Sequence, residues 1–496
     1  MIIFKRAFEE RISILLGHRK DFCIIAFINF IGLISIFRAD YGYVDDIGRV
    51  VTGNRGWEDF SRYINQVLSV IIHGDILLND ISPIPQLLAI ILMTVASLIV
   101  LIAFNKNDKI GFWSVVAVIP MTISPYFLEC LSFKFDAPYM ALSVLASVFP
   151  LLFLDTDTRI YSTIVFLSML GMCMTYQASS GLFIVGVLLL LALKWNRGVN
   201  TQTIVKIFFV SAFSYFLALL VFKFVIMGPV DCYEYVAVSV GKRNSIFENI
   251  LVNFKKYLDL IYNDCTHAWR IMLVGVCFSY LRSFIAVSVR SKIKAAMTAI
   301  LLIPCCVMLS YGAYLVLDKP SFFPRAMYGF YFFVAILGLI SVNESSNNLI
   351  GKVACVLLCW SFLTFSLAYG NALAEQKRYD EFRVRLVLQD LQTLPNLDNG
   401  HMRNMQIKGS IGFSPVVERM AERYKILSRL VPIRLHSGMP FGEYYIFLYF
   451  NLPGVKHQPN WSSERIVMDD TGMLTHVDTA YHKIMYDKSN ILVLVK

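Results

Sequence analysis

Two adjacent carboxylates and an arginine follow the first apolar segment of the chain. Asp45 and Asp46 lie in the sequence YGYVDDIGR, residues 41–49, which ends at Arg49. On a helix this spacing gives an ordinary surface ion pair that contributes about 0.2–0.5 kcal/mol. Two neighbouring carboxylates also raise each other's proton affinity, which suits a general base. The tyrosines of this stretch and Trp57 favour the second interpretation, because such rings suit sugar faces as well as membrane interfaces.

Two further turns carry polar side chains between apolar segments. In the first, Glu129, Lys134 and Asp136 lie within an aromatic stretch bracketed by prolines, residues 125–138. Charge so close to hydrocarbon usually lines a polar cavity or serves a function, although a short loop at the water boundary needs the same residues. The second turn contains Tyr176 and Gln177 among small hydroxyl residues, which can bind a polar ligand or pack helices in lipid.

The composition indicates that these turns belong to an α-helical polytopic membrane protein. Of 496 residues, 57% are hydrophobic and only 16% are charged, and the mean hydropathy is +0.60. Soluble proteins have a smaller apolar share. The net charge of +10 comes from bases spread over short loops, so it indicates membrane topology and no nucleic-acid partner.

Eleven apolar segments approach the length of about 17–25 residues that a helix needs to cross a bilayer. The fourth to sixth segments crowd together, so we expect about nine to eleven transmembrane helices. The predicted spans are residues 22–37, 86–104, 111–124, 139–154, 160–175, 178–193, 207–227, 268–287, 295–317, 326–342 and 353–370.

Lysine and arginine predict the orientation, because cytoplasmic loops are rich in both. Bases precede the first span and recur in alternate loops around Lys106, Lys194 and Arg290. We therefore expect a cytoplasmic N-terminus and a retained first span within a membrane domain of residues 1–370. The segments expected on the opposite side are loops 38–85, 125–138, 228–267 and 318–325 and the tail after residue 370.

Three of these outer segments would position the charged turns. Residues 57–71 alternate apolar and polar side chains at helical spacing, with Arg62 on the polar face, which indicates a helix in the interface plane or one packed on the bundle. Residues 228–267 predict amphipathic helices with a solvated charged face. In residues 317–325, prolines and aromatic rings stiffen a turn that ends at Arg325.

After residue 370 charges become frequent and apolar runs short, which predicts a C-terminal α/β domain, residues 371–496. We expect this domain on the outer side, where it could grip a ligand or add stability. The predicted helices are residues 371–394 and 416–430, and the predicted strands are residues 406–413, 444–452 and 491–495.

Several site types are not indicated by the sequence. No histidine or cysteine cluster has zinc-site spacing, and no Walker or Rossmann glycine pattern occurs between a strand and a helix. Most of the ten cysteines lie in apolar runs. Cys232 and Cys265 lie in outer segments and can form a bridge in an oxidising compartment, although spacing alone does not fix a pairing.

The order of the three turns resembles a known family. The acidic loop YGYVDDIGR, the turn SPYFLE followed by FKFD, and the turn TYQAS resemble, in this order, the phage-encoded glucosyltransferases that modify O-antigen and convert the serotype of enteric bacteria. The resemblance covers residues 38–181 with recognisable motifs. Beyond Gly181 it rests on length and topology.

This resemblance implies a glycosyltransferase of the GT-C fold in the bacterial inner membrane. Such an enzyme takes glucose from undecaprenyl or a similar polyprenyl phosphate and places it on an O-antigen repeat at the periplasmic face. Direct displacement by an acceptor hydroxyl would invert the anomeric centre. The partners implied are the lipid-linked donor, the saccharide acceptor and the bilayer, together with a donor synthase and a flippase.

The resemblance also suggests roles for individual residues. Asp45 or Asp46 would be the catalytic base, with Glu129 as a further acid of the site. The departing phosphate needs cations, and the candidates are Arg49 and Arg325, with Lys134 and Lys319 in reserve. Substrate contacts are expected from Asp136, Tyr126, Tyr176, Gln177 and Trp57.

Cofactor-dependent chemistry and other function classes fit the sequence less well. Paired carboxylates beside a phosphate can hold Mg²⁺, but we expect no required metal or other cofactor. A membrane acyltransferase would also modify O-antigen. Such an enzyme would depend on a catalytic histidine in or near a span, whereas the few histidines here avoid the spans. A lipid-linked sugar transporter or flippase would show internal repeats and charges near mid-bilayer, whereas the charges here cluster at one face.

Overall fold

The computed structural model describes residues 2–105, 110–228, 246–344, 348–395, 403–436, 449–450, 455–457 and 470–496. The chain divides into two compact units. The first unit comprises Met1–Ile34, Gly56–Ile72 and Ser82–Leu367, and the second comprises Ser35–Arg55, His73–Ile81 and Ala368–Lys496. The C-terminal region is therefore grouped with two stretches from the N-terminal part of the chain.

Helices dominate the chain, because in lipid each backbone N–H and C=O must be bonded within its own segment. The α-helices are α1 (Ile2–Gly17), α2 (Arg19–Ala39), α3 (Asp46–Thr52), α4 (Tyr63–His73), α5 (Ile84–Phe104), α6 (Phe112–Val118), α7 (Pro120–Ile123), α8 (Pro125–Ser132), α9 (Ala137–Val148), α10 (Thr158–Cys173), α11 (Ser180–Asn196), α12 (Thr201–Val221), α13 (Ile246–Asp264), α14 (His267–Ala286), α15 (Lys292–Leu309), α16 (Gly329–Asn343), α17 (Leu349–Gln392), α18 (Pro415–Arg423) and α19 (Leu427–Leu430). Short 3₁₀ turns cover Glu58–Phe60, Phe149–Phe153, Gln177–Ser179, Gly312–Val316 and Pro324–Ala326, and a π-helical turn covers Phe222–Ile226.

Seven helices in the described residues are long and apolar enough to cross a membrane, fewer than the nine to eleven predicted. They are Arg19–Ala39, Ile84–Phe104, Gln177–Asn196, Thr201–Ile226, His267–Ala286, Lys292–Leu309 and Leu349–Leu391. An eighth candidate joins Phe112–Ile123 to Pro125–Ser132, which are bent by 56°. Helices lie at all eleven predicted positions. The count falls because Ala137–Phe153, Thr158–Cys173 and Gly329–Asn343 are only 10–17 residues long, since each begins or ends at a polar turn.

The first unit has a basic end. α11, α14 and α16 finish there, and Lys194 Nζ pairs with Asp155 at 2.7 Å. Arg197 pairs with Glu344, and Arg290 donates to a backbone carbonyl of the loop after α11 at 2.9 Å. The bases that the sequence placed in alternate loops therefore lie together at this end. Lys106, which was grouped with them, lies outside the described residues.

The N-terminal helix α1, which the sequence analysis did not predict, is packed at the same end. The ring of Phe8 lies 6.3 Å from the rings of Phe149 and Phe153, just before the loop that contains the aspartate partner of Lys194. The basic N-terminal residues therefore belong to the same end of the first unit as the basic loops.

The second unit contains a five-stranded sheet with the order β2-β1-β5-β4-β3. Its strands are β1 (Arg403–Gly409), β2 (Val455–His457), β3 (Leu474–Asp478), β4 (His482–Tyr486) and β5 (Asn490–Val495). β1 runs parallel to β2 and β5, whereas β4 runs antiparallel to β3 and β5. Val384 and Leu391 of α17 pack against Ile407 and Val493 in its core.

The structure confirms part of the predicted C-terminal elements. Strands lie at the first and last predicted positions, while residues 444–452 fall almost wholly outside the described residues. The predicted helix 371–394 is the continuation of α17, which runs unbroken through Gly370. The predicted helix 416–430 is divided into α18 and α19.

Candidate active site

A buried ion pair joins two of the predicted turns at the end of the first unit opposite the basic end. Glu129 is 1% exposed, and its Oε1 accepts from Nη1 of Arg325 at 2.5 Å while its Oε2 accepts from the backbone N–H of Arg325 at 2.7 Å. The carboxylate therefore fixes both the main chain and the guanidinium of one residue. The Arg325 side chain keeps 18% exposure and lies over the rings of Phe133 and Phe323, at 5.3 and 4.5 Å.

Prolines place both members of this pair. Pro125 begins α8, which carries Glu129, and Pro324 begins the 3₁₀ turn that carries Arg325. A proline fits the first position of a helical turn because its missing N–H would have no intrahelical partner there. The two prolines therefore determine where each of these helical turns begins.

Three glycines let backbones meet next to the turn of residues 317–325, which we call the proline-rich turn. A Cβ at Gly329 would lie 2.1 Å from the carbonyl oxygen of Ser310, and one at Gly181 would lie 2.6 Å from the same oxygen. Gly312 has a φ of +60°, and a Cβ there would lie 2.3 Å from Oγ of Ser180. Any side chain at these positions would separate the ends of α11, α15 and α16. We call this close contact, formed at Gly181, Gly312 and Gly329, the glycine crossing.

The third predicted turn belongs to the same cluster. The hydroxyl of Tyr176 donates to the carbonyl oxygen of Arg325 at 3.4 Å, and Nε2 of Gln177 donates to the carbonyl oxygen of Cys173 at 2.8 Å. The structure therefore brings Glu129, Arg325 and the turn at Tyr176 together, although they are far apart in sequence.

Two aromatic side chains predicted to contact substrate are buried beside carboxylates. Trp57 is 1% exposed, and its indole N–H donates to Oδ1 of Asp136 at 2.5 Å. The hydroxyl of Tyr126 donates to Oδ2 of Asp264 at 2.9 Å, and Asp136 and Asp264 are themselves buried. Both rings fix the position of an acid in this structure.

The two predicted reserve lysines have different surroundings. Lys134 is buried one residue after the Phe133 ring that faces Arg325. Lys319 is exposed. Its neighbour Asp318 accepts from Nδ2 of Asn249 on α13 at 2.7 Å, so α13 is packed against the proline-rich turn.

The outer helices α4 and α13 turn their polar sides inward. On α4, Asn65 is buried and donates to the carbonyl oxygen of Thr175 at 3.2 Å, whereas Val67 and Ile71 are 63% and 73% exposed. On α13, Asn253 is buried and Phe247 is exposed. An exposed apolar face is typical of a helix that lies against lipid.

The acidic pair lies in the second unit. Asp46 begins α3 and is fully buried, and its Oδ2 accepts from the backbone N–H of Tyr43 at 2.9 Å. Asp45 is exposed, and Arg49 is half-buried. Val44 has a φ of +43°, which β-branched residues rarely adopt. Backbone strain of this kind persists where the surroundings enforce it, and it is concentrated at functional sites.

A buried tyrosine anchors the start of this loop. The Tyr41 hydroxyl donates to Oδ2 of Asp380 at 3.1 Å, and the Arg434 guanidinium lies over its ring at 4.1 Å. Burial raises the pKa of the Tyr41 hydroxyl, so the group remains a hydrogen-bond donor at neutral pH. The loop that bears the two carboxylates is thereby fixed within the second unit.

The second unit also has an open groove of about 840 Å³. Arg38, Lys377 and Arg378 contribute positive charge, while Glu375 and Glu381 contribute negative charge. A groove with donors and acceptors of both signs can bind a hydroxyl-rich ligand through many polar contacts.

Residues 34–341 match the family Glucosyl transferase GtrII, which is more than half of the chain. The chain belongs to this glucosyltransferase family. It is therefore a glycosyltransferase, as the resemblance of its three turns indicated. A 55.3 kDa protein of Salmonella phage P22, described as uncharacterized and as lying in the gtrB 5′ region, is 23% identical over 420 residues, which cover 81% of this chain and 84% of that protein. No solved structure matches the chain.

The family match contains all the predicted site residues of this glucosyltransferase. It begins just before the acidic loop at Asp45 and ends after Arg325, before α17 begins. The C-terminal sheet therefore lies outside the matched region. Sequence analysis missed Arg62 as a member of the Tyr176 cluster, because its helical spacing placed it on a polar face without identifying what that face contacts.

Two predictions concerning metals and cysteines remain as they were. Within the ranges that the structure describes, no three His, Cys, Asp or Glu side chains are grouped as metal ligands, and Mg²⁺ at Asp45 and Asp46 stays an untested alternative. Cys265 is buried, with its Sγ 3.5 Å from the Tyr331 hydroxyl. Cys232 lies outside the described residues, so a bridge between the two stays a prediction.

Proposed function

We propose that this glucosyltransferase transfers glucose from a polyprenyl phosphate such as undecaprenyl phosphate to an O-antigen repeat at the periplasmic face of the bacterial inner membrane. The family supplies the class of reaction and the sugar. The phage origin of the P22 relative supports a role in modifying the host surface. Seven candidate spans support a lipid-linked donor, which reaches an enzyme within the bilayer directly.

The observation that carries this proposal is the doubly held Arg325. A guanidinium offers a planar pair of N–H donors that matches phosphate oxygens. Because Glu129 already fixes its main chain and its side chain, little reorganisation is needed when the leaving phosphate gains charge. Both oxygens of Glu129 are occupied, so we assign it to positioning Arg325 and not to proton transfer.

The reaction is a displacement at the anomeric carbon. An acceptor hydroxyl oxygen forms the new bond from one face, and the bond between the anomeric carbon and the phosphate oxygen breaks on the other, so the configuration inverts. The electron pair leaves with the polyprenyl phosphate, and the hydroxyl proton passes to a carboxylate base. We assign the base to Asp45, which is exposed, and loop positioning to the buried Asp46.

The remaining predicted roles follow the same scheme. Arg49, Lys134 and Lys319 are further cations for the phosphate, and Asp136, Tyr176 and Gln177 are acceptor contacts. The scheme requires no metal or other cofactor. A donor synthase and a flippase would supply the lipid-linked glucose on the periplasmic side.

The proposed orientation follows from the two ends of the first unit. Cytoplasmic loops are enriched in Lys and Arg, so the basic end and α1 are assigned to the cytoplasm. The end with Glu129 and Arg325 and the C-terminal domain, residues 371–496, are assigned to the periplasm. A reporter that is active only in the periplasm, fused after Gly370, should be active. Activity of a cytosolic reporter there instead would reverse the assignment.

The activity is tested by analysing lipopolysaccharide from cells that supply the donor and the O-antigen. Wild type should add one hexose per modified repeat, and omission of the donor synthase should abolish the addition. Asp45→Asn should abolish it as well, and Asp46→Asn should lower it. Asp59→Asn, at an exposed acid later in the same predicted outer loop, is the matched control and should add hexose normally. An added hexose that persists in both loop variants at normal protein levels removes the acidic pair from the mechanism.

A further inference from the structure

Arg62 has an environment that its position in the sequence does not reveal. Its guanidinium carbon lies 4.9 Å from the ring centroids of both Phe60 and Tyr176. Its Nε is buried and has no hydrogen-bond partner within the described ranges, and no carboxylate there forms an ion pair with it. A partly buried cation that lies next to two rings and lacks a counter-charge is costly, so it indicates a place for an anionic ligand.

The position of Arg62 is fixed by its neighbours. Its backbone N–H donates to the carbonyl oxygen of Trp57 at 3.0 Å, and Asn65, one turn further on, donates to the carbonyl oxygen of Thr175 at 3.2 Å. The start of α4 is therefore docked on the turn that contains Tyr176. Because Trp57 is itself held by a buried carboxylate, the guanidinium is placed by contacts on both sides.

Arg62 shares Tyr176 with Arg325. The Tyr176 ring stacks on Arg62, while its hydroxyl donates to the carbonyl oxygen of Arg325 at 3.4 Å, and both guanidinium groups interact electrostatically with that hydroxyl. Glu129 neutralises one of the two cations. The cluster thus keeps one net positive charge, which equals the single negative charge of a sugar-linked phosphodiester.

We propose that Arg62 is a second phosphate-binding residue and that Arg62 and Arg325 bind the phosphate of the polyprenyl-linked sugar from the two sides of Tyr176. The inference rests on the proposed function and deepens it. Cleavage turns the phosphodiester into a phosphate monoester with additional negative charge, so two guanidinium groups bind the leaving group more strongly than the substrate. The apolar outer face of α4, with Val67 and Ile71 exposed, lies where an isoprenoid chain attached to that phosphate can run.

The test measures binding of a short isoprenyl phosphate to purified protein in detergent. Citronellyl phosphate is the probe, citronellol is the same chain without phosphate, and inorganic phosphate is the anion without the chain. The variants are Arg62→Gln and Arg62→Lys. The matched control is Arg270→Gln, because Arg270 also stacks on a tyrosine ring, at 3.8 Å, and its Nε is also buried with no partner among the residues that the structure describes.

We expect Arg62→Gln to weaken citronellyl phosphate binding by about tenfold or more, since it removes charged hydrogen bonds. Arg62→Lys should lie between Gln and wild type, because it keeps the charge but not the planar fork. Citronellol binding should not change, and Arg270→Gln should bind like wild type. Unchanged melting midpoints show that the variants are folded. If Arg62→Gln is not folded, the comparison of Arg62→Lys with wild type provides the test.

The outcomes separate the two proposals. Wild-type binding of citronellyl phosphate by both Arg62 variants overturns the role of Arg62 and leaves the proposed function intact. A wild-type protein that binds citronellyl phosphate no more tightly than citronellol contradicts the proposed donor itself. Inorganic phosphate that binds as tightly as citronellyl phosphate shows an anion site without lipid recognition, which also overturns the inference.

Discussion

Removing the charge of Glu129 tests whether its ion pair serves the fold, the reaction or both. Breaking a buried ion pair by removing one partner costs about 3–5 kcal/mol. The Arg325 side chain is 18% exposed, whereas that of Glu129 is 2% exposed, so water stabilises an unpaired arginine better than an unpaired glutamate. We therefore expect Glu129→Gln to lower the free energy of unfolding by about 2–3 kcal/mol and Arg325→Gln to lower it by about 3–5 kcal/mol.

The double variant Glu129→Gln/Arg325→Gln separates stability from activity. It removes both charges and leaves two amides that can bond to each other, so its free energy of unfolding should return to within about 1 kcal/mol of wild type. Glucosylation should not return, because the cation for the leaving phosphate is still absent.

Unfolding is measured by denaturant titration in mixed micelles, and activity by the hexose content of lipopolysaccharide at matched protein levels. A double variant that regains both stability and glucosylation would show that Arg325 is structural only. Single variants as stable as wild type would show that the pair contributes nothing to the fold, contrary to its burial.

Five further variants probe other features. Gly329→Ala places a Cβ 2.1 Å from a carbonyl oxygen and should abolish the folded peak in size-exclusion chromatography. In Gly171→Ala the new Cβ lies more than 4 Å from every described residue beyond its own helix, so this variant should raise the free energy of unfolding by about 0.5–1 kcal/mol. Trp57→Phe removes the indole N–H that a buried carboxylate accepts and should cost about 1–3 kcal/mol, measured by denaturant titration. Ile407→Ala opens the core of the C-terminal sheet and should cost about 2–5 kcal/mol, with faster hydrogen exchange in the strands. Burial lowers the pKa of His73 from 6.5. The stability associated with its neutral imidazole is therefore present above pH 6.5 and is lost as the pH falls through the lowered pKa. The drop in melting midpoint between pH 7.5 and 5.5 should be smaller in His73→Gln than in wild type.

The polar turns could be found from the sequence because each interrupts a long apolar run. Their meeting could not, since 196 residues separate Glu129 from Arg325 and no periodicity links them. Arg62 was placed on the correct face of its helix, but the sequence left open whether that helix lies in the interface plane or is packed on the bundle. Hydropathy alone does not distinguish a polar face that contacts solvent from one that contacts protein.

The helix positions were predictable, whereas their lengths were not. Hydropathy locates the apolar run before Gly370, but it does not show that α17 continues unbroken into the charged segment that follows. In the C-terminal sheet, β5 is a continuous apolar run and was predicted. β3 is mostly exposed, so its sequence lacks the alternation that indicates a half-buried strand.

The glycine crossing limits how the proline-rich turn can respond to a ligand. Where main chain touches main chain, no side chain can rotate to absorb a displacement, so the spacing there has a single value. The position of the Arg325 guanidinium is consequently fixed before any substrate binds. Substrate binding energy is therefore not needed to assemble this part of the enzyme, and selection for a different donor would have to act on residues outside the glycine crossing.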